Sequence, residues 1–213
     1  MQVFFYHLYH KFAWIYNLVA ASVSLGHWKD WVYSVVPHLS GPKVLELGHG
    51  PGHLLQRLSE NEILAFGIDE SPTMGIIASN RLQRKKGNSL LIRGYAQYEP
   101  FPTNTFHQIV ATFPSEFITD PKTLDEAFRV LLPGGKLIIL PFIRINGKGF
   151  IERAVSWLFR LTDQSPKWSD RFLIPFTKAG FKPSCLPIIG KNWTAFIIIA
   201  EKPPSFTLPS TEK

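Results

Sequence analysis

Cysteine is nearly absent: Cys185 is the one instance in 213 residues. That excludes an intrachain disulfide framework and a cysteine-based zinc centre, and it fits a reducing, cytoplasmic setting. Long apolar runs are missing as well. The best window, 12–25, is interrupted by Asn17, Ser22 and Ser24, short of the ~18–20 residues a membrane span needs. Only Lys11 supplies fixed positive charge ahead of that window, so a secretory leader is not expected. Charged residues reach just 18% against 45% hydrophobic, which excludes disorder except at the ends.

What the chain has in excess is aromatic side chains, 14% of the total with 17 Phe. Such a share suggests an apolar substrate or a greasy cover over a site. The net charge of +7 permits contact with RNA or a peripheral contact with an anionic membrane but demands neither. Its densest cluster, Arg81, Arg84, Lys85 and Lys86, reads as the positive end of a helix. The length suits one domain with one core.

Residues 3–24 carry an apolar stripe at alternating four- and three-residue steps, from Phe5 through Tyr9, Phe12, Tyr16 and Val19 to Val23. The spacing predicts a helix, with a second over Trp28–Pro37. Together they form an amino-terminal helical cap over residues 1–40. Strands are expected at Lys43–Leu47, Leu64–Ile68, Ser89–Arg93, Gln108–Thr112 and Lys136–Leu140, with helices over 53–60, 73–85 and 121–131. This alternation predicts an α/β, Rossmann-like doubly wound sheet, mostly parallel, over residues 41–202. Residues 142–170 read as a helical insertion with a broad apolar face. Ser184–Ile189 and Thr194–Glu201 read as a hairpin that makes the last strand antiparallel. Residues 203–213 read as a disordered tail.

The densest chemical signal is Glu46-Leu47-Gly48-His49-Gly50-Pro51-Gly52, where a buried strand runs into a glycine loop and then a helix. Glycine lets the backbone turn sharply and lets a ligand approach without a Cβ in the way. The dinucleotide fingerprint G-x-G-x-x-G needs a third small residue where this chain has His53. No tyrosine has a lysine four residues on, so the Tyr-x-x-x-Lys pair of short-chain dehydrogenases is missing too. Hydride transfer is disfavoured.

The G-x-G-x-G loop preceded by Glu46 resembles the first motif of class I S-adenosylmethionine-dependent methyltransferases. Gly67-Ile68-Asp69-Glu70-Ser71-Pro72-Thr73-Met74 resembles the end of that family's second strand. Gly94-Tyr95-Ala96-Gln97 with Pro100-Phe101-Pro102, and Leu132-Pro133-Gly134-Gly135, match its later motifs. Tyr16-Asn17, Ser24-Leu25-Gly26-His27 and Trp31 are similar to the opening of the ubiquinone/menaquinone biosynthesis methyltransferase group. The resemblance spans about residues 43–201 and implies S-adenosyl-L-methionine as cofactor.

It also implies roles. Gly48, His49, Gly50 and Gly52 would hold the methionine part, with Glu46 organising the loop and the ammonium. Asp69 would accept from the ribose hydroxyls, or else cap the following helix. Glu70 adjoins it. Met74 would pack beside ribose and adenine or simply in the core. Ala96 and Gln97 would flank the adenine, and Thr112 and Phe113 the sulfonium. A base is needed only if the acceptor loses a proton; the candidates are His7, His10 and Glu116, none in a diagnostic motif. No metal cluster is expected. The reading is methyl transfer to an apolar small molecule, quinol-like or lipid-like. An RNA or protein methyltransferase and a non-catalytic S-adenosylmethionine-binding regulator are the alternatives. Nothing in the sequence settles the oligomeric state.

Overall fold

A computed structural model of the chain describes residues 28–84, 89–146 and 170–204. The segment over residues 3–24, most of 142–170 and most of the tail lie outside the described residues. Helix α1 covers Trp28–Tyr33 and a 3-10 turn covers Val36–His38. The expected helix through Pro37 stops early because the segment re-forms as a turn with that proline in its first positions. Then come β1 (Lys43–Leu47), α2 (His53–Glu60), β2 (Leu64–Asp69), α3 (Pro72–Arg84), β3 (Leu90–Arg93) and β4 (Phe106–Thr112). A 3-10 turn at Glu116–Thr119 leads to α4 (Pro121–Val130), β5 (Leu131–Leu140) and β6 (Ile143–Ile145). After a 3-10 turn at Asp170–Leu173 follow α5 (Ile174–Lys178), β7 (Lys182–Ile189) and β8 (Trp193–Glu201).

The sheet runs β3-β2-β1-β4-β5-β8-β6, with β7 on the other side of β8. Strands β1 to β5 pair in parallel. Strand β8 is antiparallel to β5, β6 and β7, so the expected reversal of the last strand is present. Two boundaries differ from expectation. Strand β5 begins at Leu131, because Leu131 already pairs with Phe106 across a register shift, so the Pro133-Gly134-Gly135 stretch lies within the strand. Residues 143–145, placed in a helical insertion by their sequence, form β6, because β8 runs on past the end of β5 and offers Ala195 to Trp193 as partners.

Val44, Leu45 and Leu47 of β1 are buried, as are Leu54, Leu55 and Leu58 of α2 and Leu137 to Leu140 of β5. Both faces of the sheet are therefore covered, which explains the near-continuous apolar strands. Val35 and Leu39, just after α1, pack into the same core as Val44 and Leu58. Gln108 on β4 pins the entry to β1: its Oε1 accepts from the amides of Ser40 and Gly41, and its Nε2 donates to the His38 carbonyl. Among the described residues, no helix is long and apolar enough to cross a membrane.

Candidate active site

Parallel strands point their carboxyl ends the same way, and those ends gather the chain's candidate residues on one rim. Gly48 follows β1, Asp69 closes β2, Ala96 and Gln97 follow β3, and Phe113 follows β4. The glycine loop turns through three left-handed residues, Gly48, Gly50 and Gly52, at φ 67°, 50° and 76°. Two of these glycines serve different ends. A Cβ on Gly50 would meet none of the described atoms within 4 Å, which leaves space beside this otherwise buried glycine. A Cβ on Gly52 would lie 2.8 Å from Ala78 Cβ and 3.2 Å from its Cα, so this glycine lets α2 start hard against α3.

Asp69 ties the rim together. Its Oδ2 accepts from the Gly50 amide at 2.8 Å and its Oδ1 from the Ser71 amide at 2.9 Å. The cap of α3 is Ser71, whose Oγ accepts from the Met74 amide, so the capping role considered for Asp69 belongs to its neighbour. Asp69 is buried, and each carboxylate oxygen keeps a further lone pair for a hydroxyl donor.

Glu46 is 2% exposed, and its Oε2 has no hydrogen-bond partner. Burial, reinforced by the nearby Asp69 carboxylate, holds its carboxyl well above the usual range. An ammonium group brought to this point would supply the donors and positive charge the carboxyl lacks. With the space beside Gly50, the residues present fit the amino-acid end of an S-adenosylmethionine molecule.

The two loop histidines are committed. His49 is buried; its Nδ1 donates to the Gly50 carbonyl at 2.7 Å, and burial pushes its pKa down despite Asp69. His53 Nδ1 accepts from Arg81 at 2.7 Å, and burial with that guanidinium brings it down to about 4. Both are neutral at pH 7. A groove of about 430 Å³ runs from His49 and Asp69 past Ser71 and Ser79, between α3 and Arg93 on β3. It touches the glycine loop at His49 and extends along the sheet edge, away from Gly50.

The other candidates divide. Met74 is fully buried on α3. Ala96 is nearly buried, and Gln97 Nε2 donates to Asp120 Oδ2, leaving its carbonyl for other partners. Glu70 is exposed. Glu116 is exposed on the 3-10 turn whose Phe117 ring lies against Gly48. Thr112 is half-buried at the end of β4. Phe113 takes a left-handed φ of 49°, uncommon for a bulky residue, and stacks on Trp28 at 4.7 Å. His7 and His10 lie outside the described residues.

Sequence reasoning missed the Trp28–Phe113 pair, which brings the start of α1 over the end of β4, and it missed Phe117. It also missed a second aromatic group, in which Phe142, just past β5, meets Phe172 and Phe196. The signal was the aromatic excess itself; pattern alone could not say which rings would meet.

Comparison with known proteins follows the same lines. Residues 44–135 match the family described as a methyltransferase domain. The chain is 33% identical over 144 residues to the ubiquinone/menaquinone biosynthesis C-methyltransferase UbiE of Blochmanniella floridana, covering 63% of this chain and 57% of that one. It is 32% identical over 158 residues to the protein of the same name from Saccharophagus degradans, covering 69% and 62%. The chain thus spans less than two thirds of the length of either relative. Among solved structures, a methyltransferase of Thermotoga maritima described as S-adenosylmethionine-dependent matches with a TM-score of 0.63 at 19% identity, over 92% of this chain and 98% of that one. A geranyl diphosphate C-methyltransferase of Streptomyces coelicolor matches with a TM-score of 0.62 at 12% identity, over 81% and 78%. Both share its fold.

Proposed function

We infer methyl transfer to an apolar small molecule, from a chain whose residues 44–135 match a methyltransferase domain and whose fold is shared with S-adenosylmethionine-dependent methyltransferases. The observation that carries the reading is the rim itself: a buried, partner-poor Glu46 carboxyl close to a glycine with no described atom within 4 Å of its Cβ position. The bound sulfonium supplies an electrophilic methyl group. This chain's residues have to hold it, align the acceptor and keep water out, and alignment alone lowers the barrier by several kcal/mol. Glu46 and the Gly48–Gly52 loop hold the amino-acid end, and Asp69 the ribose.

The acceptor lies toward the ends of β4 and β5, near two aromatic groups, Trp28 with Phe113 and Phe142 with Phe172 and Phe196. Aromatic side chains in that region suit a flat or isoprenoid-like apolar molecule better than a polar one. The C-methyltransferase relatives named for ubiquinone and menaquinone biosynthesis support a quinol-like acceptor and transfer to carbon. Of the three candidate bases, Glu116 falls within the described residues, exposed on the turn whose Phe117 ring lies against Gly48.

Calorimetry with S-adenosylmethionine and NAD separates this reading from a dinucleotide enzyme. S-adenosylmethionine is expected to bind and NAD to fail, because His53, tied to Arg81, fills the place of the third small residue. Tight NAD binding with no response to S-adenosylmethionine would overturn it. A turnover assay with labelled cofactor and reduced quinones then tests the acceptor class.

A further inference from the structure

The segment between β3 and β4 carries Ala96 and Gln97, and it is fastened to α4 at several points. Gln97 Nε2 donates to Asp120 Oδ2 at 3.1 Å. The Glu99 amide donates to Glu126 Oε2 at 2.9 Å. Arg129 donates to the carbonyls of Glu99 and Phe101 at 3.0 and 2.7 Å, and it grips both oxygens of Glu126 at 2.8 Å.

Every fastening at Glu99 uses its backbone. Its side chain sits inside this clasp, in a residue 5% exposed, and neither carboxyl oxygen has a hydrogen-bond partner. The charged groups facing it are Glu126 and Arg129, both from α4. The guanidinium is already shared between a carboxylate and two carbonyls, so little of it is left for Glu99. A neutral carboxyl is tolerated in such a place; a carboxylate is buried beside another carboxylate.

We propose that Glu99 is a positioning residue: its neutral carboxyl allows the segment carrying Ala96 and Gln97 to seat on α4, and its ionisation releases that segment. The proposal concerns the apo chain; only its effect on a cofactor rests on the reading above.

The sign of the pH effect is fixed by linkage. Burial, and then Glu126, push the seated carboxyl up to about 8, against Arg129. A released carboxyl returns to about 4.5, the ordinary value. The seated form therefore keeps a proton that the released form loses. Seating is strongest below the ordinary value, weakens by about tenfold per pH unit as pH rises, and levels off above the raised value.

Hydrogen exchange of the apo protein tests this through amides 94–105, corrected for the intrinsic pH dependence of exchange, from about pH 6 to 9. The opening ratio of the wild type is expected to climb about tenfold per pH unit and flatten above about pH 8. Glu99→Gln is expected to be flat, as is Glu99→Leu, which serves if the amide variant does not fold. A flat wild-type profile overturns the proposal, and so does a slope that persists in either variant. Titration with S-adenosylhomocysteine at about pH 6.5, where seating is stronger than at about pH 8, judges the cofactor reading separately. A slope that depends on Glu99 without any binding would leave the positioning role standing and remove the cofactor reading.

Discussion

Replacing Asp69 with alanine is expected to cost about 3 kcal/mol of stability and to weaken cofactor binding by roughly 10–150-fold, or about 1.5–3 kcal/mol. The stability loss comes from two buried backbone amides, Gly50 and Ser71, that lose a charged acceptor at 2.8 and 2.9 Å. In a chain of this size it corresponds to a fall in Tm of roughly 6–12 °C. Asn is expected to rescue little, since its NH2 would face one of the two N–H donors. Glu70→Ala, one residue on but exposed, should stay within about 0.5 kcal/mol of the parent. Thermal unfolding with and without S-adenosylhomocysteine measures both effects. An Asp69→Ala protein with unchanged Tm would mean the tie contributes nothing, and one with unchanged affinity would remove Asp69 from the site. From sequence alone, a strand-end carboxylate outside the core looks dispensable for folding; the structure makes it a strut between two loops.

Two glycines of one motif are expected to fail in opposite ways. Gly50→Ala places a methyl group where none of the described residues has an atom within 4 Å. Its left-handed φ costs only about 1–2 kcal/mol, so the variant folds. The methyl occupies the face offered to the ligand, so affinity should drop at least about tenfold, the equivalent of about 1.4 kcal/mol. Gly52→Ala carries the same conformational penalty and drives a methyl to 2.8 Å from Ala78 Cβ and 3.2 Å from the backbone behind it. Overpacking of this kind costs a further ~1–3 kcal/mol and separates α2 from α3. Circular dichroism melts and calorimetry on the pair give a crossed result. Equal destabilisation of both variants, with equal affinity, would contradict the division of labour.

The architecture and half of the site could be read from the chain, and the reasons are physical. Strands such as Lys43–Leu47 and Lys136–Leu140 are apolar on both faces, because helices cover both sides of a parallel sheet, and glycine marks where the backbone must turn sharply. These are local signals. Strand β6 has no such signal: Ile143–Ile145 becomes a strand only because β8 overshoots β5. Glu99 sits in a loop between Tyr98 and Pro100 and looks solvated; its burial is imposed by Glu126 and Arg129, nearly thirty positions away. Trp28 and Phe113 meet across 85 positions that no periodicity spans. Pairings and burial that depend on distant segments stay hidden from local pattern, while the loop geometry they support is plain.

The place of β8 has a consequence for how the protein is made. β5 pairs on one edge with β4, but its other edge waits for Trp193–Glu201, which leaves the ribosome last among the described strands. During synthesis the nascent sheet therefore exposes an apolar margin at Leu137 to Leu140 with unmet backbone groups, the kind of edge that recruits other chains. Closure comes when β8 enters between β5 and β7, and Lys202 then seals the seam by donating to the carbonyls of Phe128 and Leu131 at the end of α4. A chain released before that strand would carry every residue of the glycine loop and still present a sticky margin to its neighbours, so β8 bears on recovery of folded protein quite apart from the place its Phe196 takes beside Phe142.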